Sequence, residues 1–153
     1  MKDCKKSVKW KNNFNIWRHT TSNKYSKLLK FTINDEKEWF KRVAKNNRLN
    51  LAIIHNFKEH IGNVYLSNIT KKKAKFEIFI GEQNKWNKGL GFKTLLITIK
   101  IAKERYNLKE LYLYVKKTNL KAIRIYKKAN FKINYNLKKS GFHYMVLKLN
   151  NER

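Results

Sequence analysis

Once along this chain the apolar residues change their period, and that change limits the folds open to it. From Ile61 to Ile80 they recur mainly at every second position, and beyond Gly81 they recur at every third and fourth. A period of two sends side chains alternately to the two faces of a strand, whereas a period near 3.6 lines one face of a helix. Leu51 to His55 is an apolar run, and Lys58-Glu59-His60 turns the chain. In Ile61 to Ile69, Val64 and Leu66 then alternate with Asn63, Tyr65 and Ser67. Ala74 to Ile80 sets Phe76, Ile78 and Ile80 on one face and leaves Glu77 and Phe79 on the other. Three successive antiparallel strands are expected, followed by a helix to about Tyr106 whose buried stripe is Phe92, Leu95, Leu96, Ile99 and Ala102.

The flanks complete the order. Phe14 to Trp17 reads as a short helical turn. Asn34 to Phe40 opens a second helix, with Asn34 as N-cap and acidic residues in the first turn. After the central helix, Leu111, Leu113 and Val115 alternate with Tyr112 and Tyr114 over Glu110 to Val115, and Ala122, Ile125, Tyr126 and Ala129 give another helical stripe. Two last strands, Phe131 to Tyr135 and Phe142 to Leu149, are joined by the turn Lys138-Lys139-Ser140-Gly141. No linker, repeat or low-complexity run interrupts this order, and 153 residues suit one core. The expectation is a single α+β domain over 1–153, a mixed and mostly antiparallel sheet flanked by helices.

With 42% apolar and 14% aromatic residues the chain has the material of a packed core despite 31% charged residues. No stretch has the eighteen or so uncharged apolar residues of a membrane span. The start, Met1-Lys2-Asp3-Cys4-Lys5-Lys6, is not followed by a signal-peptide core, so a cytoplasmic protein is expected. Cys4 is the only cysteine, which excludes an internal disulfide and a cysteine-built metal site; no metal is expected. The net charge of +27 is the odd feature. No acidic residue falls between Leu111 and Asn151, a stretch holding Lys116, Lys117, Lys121, Arg124, Lys127, Lys128, Lys132, Lys138, Lys139 and Lys148. Such a stretch attracts phosphates. The plainer reading is a codon bias toward Lys and Asn with no selected partner.

The segment Gly81-Glu82-Gln83-Asn84-Lys85-Trp86-Asn87-Lys88-Gly89-Leu90-Gly91-Phe92-Lys93 lies between a strand and the strongest helix. Amides at a helix start are unpaired and point outward with the positive end of the dipole, so a pyrophosphate can accept several hydrogen bonds there. Gly89 and Gly91 would let it approach, and Lys85, Lys88 and Lys93 add charge. On its own the segment also reads as a glycine-capped turn. No Walker-type GK[ST] or dinucleotide GxGxxG is present.

About thirty residues on comes Asn119-Leu120-Lys121-Ala122-Ile123-Arg124-Ile125-Tyr126-Lys127-Lys128-Ala129-Asn130-Phe131. It resembles the N-x-x-A-x-x-x-Y-x-K-x-G-F signature of the GNAT N-acetyltransferase superfamily. The glycine loop resembles that family's W-x-x-G-x-G acyl-CoA loop. The resemblance covers roughly Leu51 to Leu149. Asn130 stands where glycine is usual, a mild departure, because asparagine tolerates a left-handed backbone at a helix end.

What the resemblance implies is an acetyl-CoA-dependent N-acetyltransferase. Backbone groups at Ile80 and Gly81 would pair with the pantetheine arm, amides from Asn87 to Phe92 would hold the pyrophosphate, and Asn119 and Tyr126 would face the acyl end. The amine must lose a proton and the leaving thiolate must gain one. Tyr126 suits the acid, although its place on the helical stripe also reads as a core tyrosine. Glu77, a lone acid in an apolar strand, is the candidate base, directly or through water, because burial would raise its pKa; a solvent-facing strand residue is the other reading. His55 is a lesser candidate.

The acceptor is sought near the N-terminus. There Trp17-Arg18-His19, Phe31-Thr32-Ile33-Asn34 and Glu38-Trp39-Phe40 resemble the subgroup of ribosomal-protein N-terminal acetyltransferases. Within it they are more similar to enzymes acetylating a nucleotide-linked 4-amino-4,6-dideoxy sugar. Trp17, Arg18, His19 and Trp39 would then line the acceptor pocket, or the two tryptophans would pack the first helices together. The family's first strand is hard to find in Met1 to Lys11. The expected acceptor is a small, anionic primary amine. An amine on a protein N-terminus, ribosome or tRNA is a second reading. A non-catalytic nucleic-acid module built on Trp86, Tyr112 and Tyr114 is a third, disfavoured by the two motifs. Acyl-chain length and homodimerisation are left open.

Overall fold

The computed structural model describes residues 2–17, 30–44, 47–135 and 141–149. In chain order these form α1 (Lys2–Lys11), α2 (Phe14–Trp17), α3 (Ile33–Ala44), β1 (Leu49–His55), β2 (Glu59–Ser67), β3 (Lys73–Ile80), α4 (Leu90–Glu104), β4 (Glu110–Lys116), α5 (Leu120–Lys128), β5 (Lys132–Ile133) and β6 (Phe142–Lys148). The six strands make one sheet in the order β1-β2-β3-β4-β6-β5. Every neighbouring pair is antiparallel except β3 and β4. This is the mixed α+β sheet expected from the period change. Of the turn at 138–141, only Gly141 lies within the described residues.

One face of the sheet carries the main core. Val64, Leu66, Ala74, Phe76, Leu111, Leu113 and Met145 are buried there together with Leu95 and Ala102 of α4 and Ile123 of α5. The buried stripe of α4 is narrower than its apolar residues suggest, because Leu96 is 46% exposed. Thr98 takes an inward place instead, its hydroxyl donating to the Thr94 carbonyl at 2.8 Å. A threonine that satisfies its own helix can be buried without a partner outside it, and apolar spacing alone does not detect this.

The opposite face is covered at β2 and β3 by the N-terminal helices. Trp10 of α1 stands edge-on to Phe79, and Trp39 of α3 edge-on to Tyr65, at centroid distances of 5.8 and 5.9 Å. Lys2–Lys11 thus form a helix where the family's first strand was sought, and among the described residues β1 is one edge of the sheet. The start of α3 also differs from expectation. Thr32, not Asn34, provides the cap: the Asp35 amide donates to Thr32 Oγ1 at 3.2 Å, and the Thr32 amide donates back to the Asp35 carboxylate at 2.8 Å. That reciprocal pair is a capping box with aspartate in the third helical position. The hydroxyl and amide of Thr32 hold the Asp35 carboxyl below its usual range. Glu36, one residue on, is buried between Ser7 and Lys11 of α1 and ties the two helices together.

Candidate active site

Strands β3 and β4 run side by side for three residues only, Lys73 to Lys75 against Glu110 to Tyr112, and then part. The Gly81 amide donates to the Ile61 carbonyl at 2.7 Å. Combined with the register of Gly62 opposite Ile80, this makes the odd-numbered residues of β3 turn their main-chain groups toward β2. The even-numbered ones turn toward β4. Past Lys75 that direction is an opening, faced by the amide and carbonyl of Ile78. The groups expected there fare differently. Gly81 gives its amide to β2, and the Ile80 carbonyl accepts from the Trp86 indole at 2.8 Å. Ile78 was missed because which residues face the opening depends on strand pairing, which residue type does not reveal.

The loop after β3 is anchored by that indole and by a 3-10 turn over Gln83–Lys85. It then turns through two left-handed residues, Asn87 at φ 62° and Gly89 at φ 73°, and α4 begins without a side-chain cap. Among the described residues, none of the amides from Asn87 to Phe92 donates to a protein acceptor; the Lys93 amide is the first to do so, to the Gly89 carbonyl at 3.0 Å. A Cβ placed on Gly89 or Gly91 would meet nothing within 4 Å, so the space over these amides is open. Lys88 and Lys93 are exposed beside it. Lys85 is not, because its ammonium is 2.7 Å from Glu59 on β2. Two lysines of α5 stand nearby instead. Lys121 reaches the Asn87 side chain at 3.3 Å, and Lys128 lies 4.7 Å from the centre of the Phe92 ring.

Helix α5 is set by both its ends. Asn119 caps its start, accepting from the Ala122 amide at 3.2 Å. At its end Phe131 donates to the Tyr126 carbonyl and Asn130 to that of Lys127, with Asn130 left-handed at φ 65°. This is a Schellman ending in which asparagine does the work of the usual glycine. Between the caps, the Tyr126 ring packs edge-on to Phe76 at 6.2 Å and against Phe131 at 5.8 Å. Phe76 is the first residue of β3 beyond the paired stretch, which puts Tyr126 beside the opening. Among the described residues the Tyr126 hydroxyl has no hydrogen-bond partner. Burial pushes its phenol well above the ordinary range, so it stays protonated at neutral pH.

Glu77 lies on the other face of β3, half-buried, and departs from expectation. Burial does push its carboxyl up, but the Lys75 ammonium, hydrogen-bonded at 2.8 Å, the Ser67 hydroxyl at 2.6 Å and the Arg48 guanidinium at 3.9 Å outweigh that push. The carboxyl is held below its usual range. Arg48 is in turn stacked on Tyr65, 4.4 Å from its centroid, and lies 5.3 Å from that of Trp39. Trp39 therefore belongs to an aromatic and cationic cluster that packs α3 on the sheet. The side chain of Trp17 and the whole of Arg18 and His19 lie outside the described residues. His55 sits on β1, two strands from the opening, with Nδ1 at 3.6 Å from Glu59.

Comparison with known proteins bears on this geometry. A family model for an acetyltransferase (GNAT) domain matches residues 2–132. Similar folds include the spermidine N-acetyltransferase of Vibrio cholerae, solved with CoA and spermine. It is 20% identical, with 97% of this chain and 90% of that one covered and a TM-score of 0.85. The N-acetyltransferase PseH of Campylobacter jejuni is 22% identical over 96% of this chain and 89% of that one, at a TM-score of 0.72. A domain from Methanocaldococcus jannaschii is 17% identical over 96% and 92%, at 0.79. With the family match spanning most of its length, the chain belongs to the GNAT acetyltransferases, enzymes that take acetyl-CoA as their acyl donor.

Proposed function

We propose that this acetyltransferase acts on a small anionic amine, the 4-amino group of a nucleotide-linked amino sugar, by direct attack of the amine. Acetyl-CoA supplies the acetyl group as a thioester. The residues suit such a donor: the open amides of Asn87 to Phe92 would hold its pyrophosphate, with Lys88, Lys93, Lys121 and Lys128 around them, and the main chain of Ile78 would pair with its pantetheine arm. Trp86 fixes the loop on β3, and Asn119 fixes the start of the helix that carries Tyr126. Tyr126 Oη holds a proton beside the opening and is the acid that would deliver it. Glu77 enters as an ionised carboxylate with both oxygens engaged. Its part is to hold Lys75 and Arg48 in place, while the proton of the incoming ammonium leaves through water. Trp17, Arg18, His19 and Trp39 remain the candidates for contact with the acceptor.

One observation carries the choice of acceptor. Each carboxylate whose side chain is described already faces a lysine or, for Asp35, the Thr32 hydroxyl. A polyamine such as spermidine would need carboxylates free to receive its charges, whereas a second pyrophosphate finds lysines unopposed on a chain of net charge +27. The same lysine surplus favours, as a second reading, an amine on a protein N-terminus or on a ribosome- or tRNA-associated acceptor. The test follows CoA release from acetyl-CoA with a UDP-linked 4-amino-4,6-dideoxy sugar, spermidine, ribosomal-protein N-terminal peptides and aminoacylated tRNA. The sugar should be turned over fastest. Preference for spermidine would overturn the proposal, and preference for peptide or tRNA would replace it with the second reading.

A further inference from the structure

Three segments of chain meet at the end of the sheet opposite the acyl-CoA loop: the turn before β3, the start of β4 and the end of β6. Lys71, Lys72, Lys73, Lys109 and Lys148 line a cleft of about 910 Å³ there, and among the described residues Glu110 is its one carboxylate. Glu110 is paired with Lys148. Of the other four lysines, Lys109 donates to the Asn107 side chain at 2.9 Å and Lys73 lies 5.8 Å from the centroid of Tyr112. The ammonium groups of Lys71 and Lys72 have no partner among the described residues.

Main-chain bonds hold these segments in place. The Thr70 hydroxyl accepts from the amides of Lys72 and Lys73 at 3.3 and 3.1 Å, which closes the turn. The Lys72 carbonyl accepts from the amides of Lys109 and Glu110 at 2.8 and 3.1 Å, and the Lys109 carbonyl from that of Leu149 at 2.8 Å. Lysine heads on a fixed backbone share one concavity, so their potentials add, and a chain of phosphates laid in the cleft would relieve their repulsion. The cleft is shallow and open, which a flexible chain of phosphates can follow. At its edge the half-buried Tyr112 ring, with Tyr144 at 5.4 Å, offers an aromatic surface to an unstacked base.

We propose that this cleft binds the phosphodiester backbone of a single-stranded nucleic acid, at a site separate from that of acetyl transfer. From Lys73 at the cleft to Ile80 at the loop, β3 spans about 23 Å at roughly 3.3 Å per residue, so both sites can be filled together. This inference does not depend on which amine is acetylated.

The test is fluorescence anisotropy of a labelled oligouridylate of about twelve nucleotides with the full chain. A second measurement is the rise in melting temperature given by acetyl-CoA. With three or four phosphates engaged, affinity should fall by roughly 20- to 50-fold between about 50 and 200 mM salt. Lys71→Glu/Lys72→Glu/Lys109→Glu should weaken binding at least about tenfold and leave the acetyl-CoA shift intact. Lys37→Glu/Lys58→Glu/Arg105→Glu, which removes the same charge elsewhere on the surface, should weaken it by no more than about threefold. Should the first variant misfold, the milder Lys71→Ala/Lys72→Ala takes its place. Equal losses in the cleft and control variants, absence of binding at the lower salt, or displacement of acetyl-CoA by the oligonucleotide would each overturn the proposal. So would cleft-dependent binding to phosphatidylserine vesicles in place of the oligonucleotide.

Discussion

The Trp10 indole occupies the volume that a side chain on Gly81 would need: a Cβ at Gly81 would come within 2.1 Å of the ring. The indole N–H donates to Glu82 at 3.1 Å, and Lys6 of the same helix donates to the His60 carbonyl at 2.9 Å. The N-terminal helix is thereby seated on the residues from which the loop before α4 departs, the loop proposed to hold acetyl-CoA. A buried tryptophan contributes packing that alanine cannot replace.

Trp10→Ala should therefore cost about 3–5 kcal/mol, which in a domain of this length lowers the melting temperature by roughly 10 °C. Gly81→Ala should destabilise strongly in the wild-type background and much less once Trp10 is alanine, because the clash has gone. A double-mutant cycle by denaturant unfolding measures that coupling. An equal cost for Gly81→Ala in both backgrounds would show that the ring yields freely.

The donor site yields a binding prediction. Acetyl-CoA at about 100 times its Kd should stabilise the protein by about 2.7 kcal/mol, several degrees in melting temperature. Gly89→Glu should abolish that rise, because its carboxylate would stand in the open space above the amides and repel the pyrophosphate. Gly89→Asn, which tolerates the left-handed backbone and adds no charge, should retain most of it. A full shift with Gly89→Glu would mean that the loop is not where the donor's phosphates lie.

How much of this was legible beforehand depended on whether a feature is local. The switch of period at Gly81 exposed the order of the strands and of the central helix, since each element declares itself within a few residues. Asn130 could be read as left-handed because the geometry belongs to that residue alone. The misreadings share the opposite property. Glu77 was expected to titrate high because burial is visible as apolar neighbours in sequence, while Ser67 and Arg48, which help hold its charge, arrive from the end of β2 and from the residue before β1. Lys85 was placed with the phosphates by adjacency, and Glu59, twenty-six residues earlier, takes it away. Helix α1 shows only one large apolar residue facing inward, Trp10, with Ser7 on the same side, so no apolar period marks it.

Tyr126→Phe separates a packing role from a chemical one. The ring contacts with Phe76 and Phe131 survive the change, and a half-buried hydroxyl without a partner among the described residues adds little to stability. The melting temperature should stay level or rise slightly, and acetyl-CoA should bind as before. Turnover should fall by roughly 10²-fold or more, the worth of a positioned acid. Steady-state kinetics with the preferred acceptor reads the split, and unchanged kcat would return Tyr126 to the core.

Glu77 gives a pH dependence whose sign is set by its neighbours. Its folded pKa lies below the ordinary carboxylate value, so its contribution to stability is complete above that value and is lost as pH falls through the folded pKa. Glu77→Gln should accordingly be less stable than wild type near neutrality, the difference closing below about pH 4. Denaturant unfolding across that range measures it. The same depression means that any limb of kcat/KM near neutral pH belongs to another group and should keep its midpoint in the variant. A limb that vanishes in Glu77→Gln would restore the carboxylate as base.

Salt discriminates between acceptors of opposite charge. A chain at +27 draws an anionic nucleotide sugar toward its lysines, and ions screen that attraction over about 8–10 Å at physiological strength. Raising salt from about 50 to 300 mM should therefore raise the KM for the UDP-linked amino sugar several-fold while kcat changes little, because the proposed chemistry is placed within the opening and the attraction acts outside it. A polycation is repelled by the same field, so screening should lower the KM for spermidine, if it is acetylated at all. The acetyl-CoA dependence has to be measured in parallel, since its own phosphates respond to salt, and saturating donor removes that contribution. A KM for the sugar that is indifferent to salt would mean that the lysine surplus plays no part in choosing the amine.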